Sequence, residues 1–320
     1  MEARSAEALP SGDDWIYEPK WDGFRCLAFK HDADVFLQSK SGQPLARYFP
    51  EIVAAVAGLQ PAHLVVDGEI VITRNGRLAF DDLLQRIHPA ASRIQRLAKE
   101  TPATLLVFDL LLHGRTSLAQ APLVERRREL EALFAKLPES AFIQLSPSTA
   151  SRPLAEKWMR ELGTGGLDGV VAKRLSMPYR SGERDGMVKV KRLRTADCVV
   201  GGFRYAQKGG AVGSLLLGVY NKEGLLDHVG FTSSFTEGER RTLEPILAPH
   251  KGGTGFTGRA PGGPSRWSTE RSAEWEPLEP TLVCEVRYDH FSGGRFRHGT
   301  KFLRWRPDKA PRQCTRDQIT

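Results

Sequence analysis

Between positions 18 and 25 the chain reads Glu18-Pro-Lys20-Trp-Asp22-Gly23-Phe-Arg25. A lysine, an Asp-Gly pair and an arginine run straight into an apolar segment. Asp-Gly is a common turn dipeptide, so a surface turn before a strand accounts for this stretch taken alone. Later segments change the reading. Val66-Asp67-Gly68-Glu69-Ile70 sets acids among apolar neighbours, and Leu106-Val-Phe108-Asp109 puts an aromatic and an acid in an apolar run. Asp168-Gly-Val-Val-Ala-Lys173 ends in a lysine, and Val188-Lys189-Val190-Lys191 alternates, so that in a strand both lysines share a face. Apolar strands do not carry charges inward for stability, because an unpaired buried charge is expensive. Lys20, Lys173, Lys189 and Lys191, opposed by Asp22, Glu69 and Asp168, could bind a polyphosphate with a divalent metal. A lysine among other cations can also be a nucleophile, since neighbouring positive charge favours the neutral amine. For any one strand a satisfied core ion pair is the simpler reading. Repetition in five segments of one region favours a site.

These residues need strands to hold them. Apolar, β-branched runs bounded by turn residues predict strands at Phe24–Phe29, Val35–Gln38, Leu64–Ile72, Thr104–Leu112, Phe142–Leu145, Gly169–Lys173 and Met187–Lys191. Helical spacing predicts helices at Glu51–Gly58, Asp81–Ile87, Leu123–Leu137 and Leu154–Leu162. The first dozen residues read as frayed. After Asp197 the texture changes to short strands with Gly-rich turns: Val199–Tyr205, Ser214–Tyr220, Leu225–Phe231, Thr281–Tyr288 and Gly299–Arg306, with one helix at Thr236–Leu247. Five strands and a helix in that length fit a small Greek-key barrel such as the OB-fold. His250–Arg266, rich in Gly and Pro, reads as a mobile loop. The expected organisation is α+β: residues 1–194 as a domain of antiparallel sheets with flanking helices, and 195–320 as the barrel.

Composition agrees with two ordinary globular domains. The chain has 320 residues, 40% hydrophobic and 26% charged, which rules out bulk disorder. The four cysteines are far apart, with no CxxC pair, so neither a zinc ribbon nor a disulfide framework is indicated. No apolar run long enough for a membrane span is present, and a cytoplasmic protein with reduced thiols is expected. The net charge of +8 points toward a polyanion.

Lys20-Trp-Asp22-Gly23-Phe-Arg25 resembles the signature of covalent nucleotidyltransferases, which include ATP-dependent DNA ligases, RNA ligases and mRNA capping enzymes. Ser39-Lys40-Ser41-Gly42, Asp67-Gly68-Glu69, Phe108-Asp109, Asp168-Gly-Val-Val-Ala-Lys173, Lys189-Val-Lys191 and Arg306-Pro-Asp308-Lys309 match that superfamily's motifs in order. The resemblance runs from about Trp15 to Pro311. It is nearest to small bacterial C-type DNA ligases and the ligase module of D-type ligases, through Arg47-Tyr-Phe-Pro50 and the stretch from Phe296 to Arg306.

The resemblance implies that Lys20 attacks the α-phosphate of ATP, that the AMP passes to a 5′-phosphate at a nick in double-stranded DNA, and that the adjacent 3′-hydroxyl expels AMP. Asp22 belongs to the same catalytic signature. Glu18 would accept from the adenine amino group, Phe108 would stack on adenine, and Lys173 would share the purine or α-phosphate environment. Arg25 and Lys40 would touch the ribose or the nick phosphate, and Lys189 and Lys191 would grip phosphate oxygens. Glu69 would contact ribose or metal, and Asp168 would help hold Mg²⁺ or Mn²⁺. Arg306, Asp308 and Lys309 would orient pyrophosphate on domain closure about a hinge near Arg192–Asp197. Two departures stand out: Lys40 replaces the usual arginine and loses its planar fork, and Asp168 is one carbon shorter than the commoner glutamate. The basic surface of the barrel (Arg204, Lys208, Arg287, Arg295, Arg297, Lys301, Arg304), interleaved with Tyr205, Tyr288, Phe296 and Trp305, is expected to face DNA. A monomer is expected, with repair or end-joining proteins as partners. The alternatives are an RNA ligase or mRNA guanylyltransferase, and a non-catalytic nucleic-acid-binding module. Glu18 and the Arg-Trp-Arg-Pro-Asp-Lys ending favour the ATP-dependent DNA ligase.

Overall fold

In the computed structural model the chain forms two compact units, Met1–Arg192 and Leu193–Thr320. The structure describes residues 1–165, 167–191, 194–206, 210–262 and 274–319, with the side chains of all of these except 161–165. Lys208, Arg192 at the expected hinge and the 263–266 end of the expected loop lie outside the described residues.

The first unit is built from β1 (Arg4–Ser5), β2 (Trp15–Lys20), β3 (Phe24–His31), β4 (Asp34–Ser39), α1 (Pro50–Ala57), β5 (His63–Val71), α2 (Phe80–Arg86), α3 (Ala91–Glu100), β6 (Thr104–His113), α4 (Leu123–Phe134), β7 (Ile143–Leu145), α5 (Arg152–Gly165), β8 (Gly169–Arg174) and β9 (Met187–Lys191). One sheet has the order β7-β6-β5-β3-β4 and the other β1-β9-β8-β2. Proline at the first position of α1 starts that helix with its φ already set, and Ile52 and Val56, four apart, are its buried stripe. They join Leu64, Val66, Ile70, Leu105, Val107 and Leu130 in the core under the first sheet. The second sheet buries Tyr17, Val170, Ala172, Val188 and Val190 together with Ala155 of α5. Side chains alternate along a strand, so each sheet buries one face and leaves a polar one.

Most predicted elements form within a few residues of the expected bounds. The first exception is the N-terminus, which is ordered. β1 pairs in parallel with β9, Arg4 opposite Val188 and Ser5 opposite Lys189, and Met1 is buried. Pairing covers a sheet edge that would otherwise expose unsatisfied backbone groups. The second is β2, a strand not anticipated ahead of Lys20. The third is α3, a helix not anticipated although Ala91, Ile94, Leu97 and Ala98 recur at helical spacing; Ile94 is its buried residue.

The second unit contains β10 (Arg194–Tyr205), β11 (Val212–Tyr220), β12 (Leu226–Thr232), α6 (Glu237–Leu247), β13 (Val283–Tyr288) and β14 (Lys301–Trp305). The sheet order is β12-β11-β10-β13-β14, all antiparallel. A bridge between Thr232 and Thr300 ties the two edges together, with Thr300 N–H donating to the Phe231 carbonyl at 3.0 Å. This closes the sheet into the expected five-stranded barrel around Val200, Phe203, Leu215, Leu217, Val229 and Val286. Thr236 and Glu239 form a capping box at the start of α6, which packs Leu243 and Leu247 on the barrel. The described part of the expected mobile loop is packed instead: Phe256 is buried, and Gly258 N–H donates to the Leu226 carbonyl at 3.0 Å.

Candidate active site

Strand register assembles the site. On the second sheet Gly169 lies opposite both Lys20 and Lys191, and Val171 lies opposite both Glu18 and Lys189. Two-residue periodicity adds Lys173 to the same face. At Gly169 (φ +152°) an added Cβ would stand 2.2 Å from the Val190 carbonyl oxygen, so a side chain there would push the two strands apart. Lys20 Nζ donates to Asp168 Oδ2 at 2.5 Å, and Lys191 Nζ is 3.4 Å from the same oxygen. Asp168 is held in place by its own N–H, which donates to the Lys20 carbonyl at 3.0 Å. Burial, then the ammonium groups of Lys20, Lys191 and Lys40, hold Lys189 below the usual lysine range.

Deeper on that face, Glu18 is buried, its Oε2 2.6 Å from Lys173 Nζ and its Oε1 4.0 Å from Arg127. Burial pushes the Glu18 carboxyl up, against the pull of Lys173 and Arg127. Glu18 Oε1 has no hydrogen-bond partner. A buried carboxylate oxygen without a donor is costly, and an incoming N–H would satisfy it.

The first sheet supplies the opposite wall. Arg25 lies opposite Glu69 in the register of β3 and β5. Its guanidinium grips Asp67 through two hydrogen bonds, 3.0 and 2.6 Å, and also donates to the Met1 carbonyl at 2.7 Å. Asp67 accepts a third bond from the Tyr179 hydroxyl at 2.8 Å. Burial pushes Glu69 up to about 8, opposed by Lys20 and Arg25. Gly23 lets these strands meet, since a Cβ there would lie 2.2 Å from the Ile70 carbonyl oxygen. Gly23 therefore serves close strand packing as well as the chain's bend after β2.

Between the two polar faces lies a cavity of about 570 Å³, lined among others by Glu18, Lys20, Glu69, Phe108, Lys173 and Lys189. That volume is in the range of small-ligand sites. The Phe108 ring is partly exposed there, with Lys173 Nζ 4.3 Å from its centroid. Arg25 and Lys40 also line it, and Lys40 pairs with Glu2 at 3.0 Å. Asp22 follows β2, half-buried, and its charge acts on Glu69. Asp109, by contrast, is spent on a buried bidentate pair with Arg126.

In the barrel, Arg306, Asp308 and Lys309 form a cluster of their own. Arg306 Nε and Nη2 bond Asp308, Arg306 Nη1 reaches Asp197 Oδ1 at 2.9 Å, and Lys309 Nζ reaches Asp197 Oδ2 at 2.6 Å. The bond from Arg306 lowers Asp308 to about 2. Two aromatics expected on the DNA-facing surface are elsewhere. Tyr288 and Phe296 are buried core residues with ring centroids 4.9 Å apart, because they fill the barrel interior. Tyr205 is exposed, and Arg304 is exposed but paired with Glu285.

Sequence reasoning missed Arg127, Asp67 as the partner of Arg25, Tyr179, Trp21 (whose Nε1 donates to Ser146 Oγ at 2.9 Å) and Asp197. Asp67 stood in a singled-out motif, and Asp197 marked the change of texture. Arg127 and Tyr179 carried no signal, since only tertiary contact brings them to the site.

A two-sheet domain with a lysine-rich cleft, joined to a closed five-stranded barrel, has the architecture of a nucleotidyltransferase domain followed by an OB-fold. Residues 3–191 match the family model for the ATP dependent DNA ligase domain, and residues 208–309 match that for the ATP dependent DNA ligase C terminal region. The chain belongs to the ATP-dependent DNA ligases, and it is a DNA ligase that uses ATP. It is 45% identical to DNA ligase C1 of Mycolicibacterium smegmatis, over 95% of this chain and 88% of that protein. It is 42% identical to DNA ligase C of Mycobacterium tuberculosis, over 100% and 92%. To the multifunctional non-homologous end joining DNA repair protein LigD of M. tuberculosis it is 30% identical, over 95% of this chain and 37% of that protein. A solved Lig E DNA ligase structure superposes with a TM-score of 0.60 at 18% identity, over 96% of this chain and all of that one, a likeness of fold. Among the described residues no helix is long and apolar enough to cross a membrane.

Proposed function

We propose that this ligase seals nicks in duplex DNA through an AMP carried on Lys20. The observation that carries the reading is the position of Lys20 Nζ. It ends a strand at the cavity, hydrogen-bonded to Asp168, with Glu18, Phe108 and Lys173 further along the same cavity. In the first step a Lys20 N–P bond forms at the α-phosphate, the bond to the β-phosphate oxygen breaks, and pyrophosphate leaves. The ammonium must first lose a proton, and Asp168 Oδ2 is the acceptor it already contacts. The phosphate of a nick then takes the AMP, Lys20 recovers its amine, and the 3′-hydroxyl displaces AMP. Negative charge builds on nonbridging oxygens in each step, which suits Lys189 and Lys191.

Glu18 Oε1 is the acceptor for the adenine amino group, where a guanine oxygen would meet a carboxylate instead. Phe108 offers the purine an aromatic face. Arg25 orders the wall next to the ribose, and Lys40 at the rim meets the nick phosphate. Glu69 and Asp168 are the carboxylates suited to hold Mg²⁺ or Mn²⁺, since such ions take one or two carboxylates plus substrate phosphates. When bound, the ion supplies charge neutralisation at the phosphate. Arg306, Asp308 and Lys309 serve the departing pyrophosphate. The likeness to the ligase part of LigD supports repair, including end joining, as the setting.

The test is incubation with α-labelled ATP and Mg²⁺, followed by a chase with nicked DNA. The expected result is a covalent label that Lys20→Ala abolishes and nicked DNA discharges, with no label from GTP. A label persisting in Lys20→Ala would overturn the site, and labelling from GTP alone would replace the adenine reading.

A further inference from the structure

Asp197 is 8% exposed and lies in β10, where strand pairing sets it opposite Glu285. Both of its carboxylate oxygens are committed, Oδ1 to Arg306 Nη1 at 2.9 Å and Oδ2 to Lys309 Nζ at 2.6 Å. Its main chain is committed as well. Asp197 N–H donates to Gln318 Oε1 at 3.1 Å, and Gln318 Nε2 donates to the Asp197 carbonyl at 2.8 Å. Gln318 thus holds the residue through both its N–H and its carbonyl, apart from its contacts with the cations.

The cations are fixed by it in turn. Arg306 spends Nε and Nη2 on Asp308, so Asp197 holds the one remaining edge of the guanidinium. The lysine three residues on would otherwise be a free ammonium on a four-carbon stem, with much rotamer entropy. Two cations and two carboxylates leave the cluster without net charge. Lys309 Nζ and both Nη atoms of Arg306 keep further N–H groups beyond these bonds, so an anion can join the two cations while Asp197 holds them.

We propose that Asp197 is a positioning residue for the adenylylation step, holding Arg306 and Lys309 as a spaced pair that receives the pyrophosphate moiety of ATP. This rests on the reading that Arg306 and Lys309 act on pyrophosphate. Ordering two cations beforehand removes an entropic cost from the step in which the leaving group needs them. The later steps have no pyrophosphate, so Asp197 should matter little to them.

The experiment separates the steps in the full chain. Enzyme stripped of AMP with pyrophosphate is mixed with saturating α-labelled ATP and Mg²⁺, and the rate of label transfer is measured. Sealing of a pre-adenylylated nick is measured in parallel. Asp197→Asn should slow label transfer roughly tenfold or more while sealing changes by less than about threefold. Gln318→Leu, which loosens Asp197 but keeps its charge, should give the same signature in smaller measure and carries the test if Asp197→Asn does not fold. Equal losses in both steps would mean a merely structural role, and unchanged label transfer would mean none; either overturns the proposal. Arg306→Ala serves as the control for the underlying reading. If it leaves label transfer intact, the pyrophosphate role of the cluster falls; if it is slow while Asp197→Asn is not, only the role of Asp197 falls.

Discussion

Glu18 and Lys173 meet with side chains 3% and 5% exposed, whereas in the barrel Arg306 and Asp308 meet with side chains 19% and 62% exposed. In the first unit the charges sit between two sheets, where desolvation makes each interaction strong and each missing partner expensive. In the barrel the charges stay in reach of water, and order comes from geometry: one carboxylate on either side of the guanidinium, and a fixed backbone behind Asp197. The first arrangement suits a pocket that must discriminate a base. The second keeps its cations ordered yet accessible to an anion from solvent.

The sharpest way to break this contrast is to remove one partner from each cluster. Lys173→Met leaves Glu18 buried beside Arg127 alone and should cost about 3–5 kcal/mol of stability. Adding Glu18→Gln should restore much of that, as followed by urea unfolding. A small loss from Lys173→Met would mean that water reaches the pair. Arg306→Ala should instead leave the melting temperature nearly unchanged while slowing Lys20 adenylylation by roughly 10²-fold. A large drop in melting temperature would place the barrel cluster in the same class as the buried one.

Proton linkage should pull the two units in opposite directions. Burial raises Glu69 from 4.5 to about 8, so its contribution to stability is fully present below about 4.5 and is lost as pH rises through about 8. Burial, helped by Arg204, Arg295 and Arg259, lowers His228 from 6.5 to about 4. Its contribution is present above about 6.5 and is lost as pH falls through about 4. Unfolding followed from pH 4 to pH 9 should show Glu69→Gln flattening the alkaline side and His228→Gln the acid side. Both substitutions acting on the same side would refute the assignment.

The smallest expected effect is at the rim. Lys40 is 62% exposed, its Nζ 3.0 Å from a Glu2 carboxylate oxygen. Lys40→Arg restores a planar fork and should tighten binding to a nick bearing a 5′-phosphate by roughly threefold. A nick lacking that phosphate should show no gain in a binding titration at fixed salt. An equal gain on both nicks would mean that Lys40 adds only general charge.

Most of the candidate site was legible because its charged residues lie in strands. Val188-Lys189-Val190-Lys191 alternates, and the fold keeps that alternation, both valines buried and both lysines toward the polar face. Phe108 was ambiguous between core and pocket, and only the cavity it lines decides that its ring is partly exposed. Tyr288 and Phe296 show the reverse error. Basic neighbours made them look like surface aromatics, yet barrel closure turns them inward. The strand that ends at Lys20 was hidden because Pro19 and two charges interrupt its apolar pattern.

By itself, then, the sequence determined the order of the charged motifs, the α+β domain followed by a barrel, and a lysine placed among other cations, because local periodicity and spacing survive folding. Only the tertiary structure decided which charges are partners. Asp168 serves Lys20, Asp67 serves Arg25, Arg127 backs Glu18, and Asp197 binds Arg306 and Lys309 from more than a hundred residues away. Ion pairing depends on distance and desolvation in space, and neither is encoded by spacing along the chain.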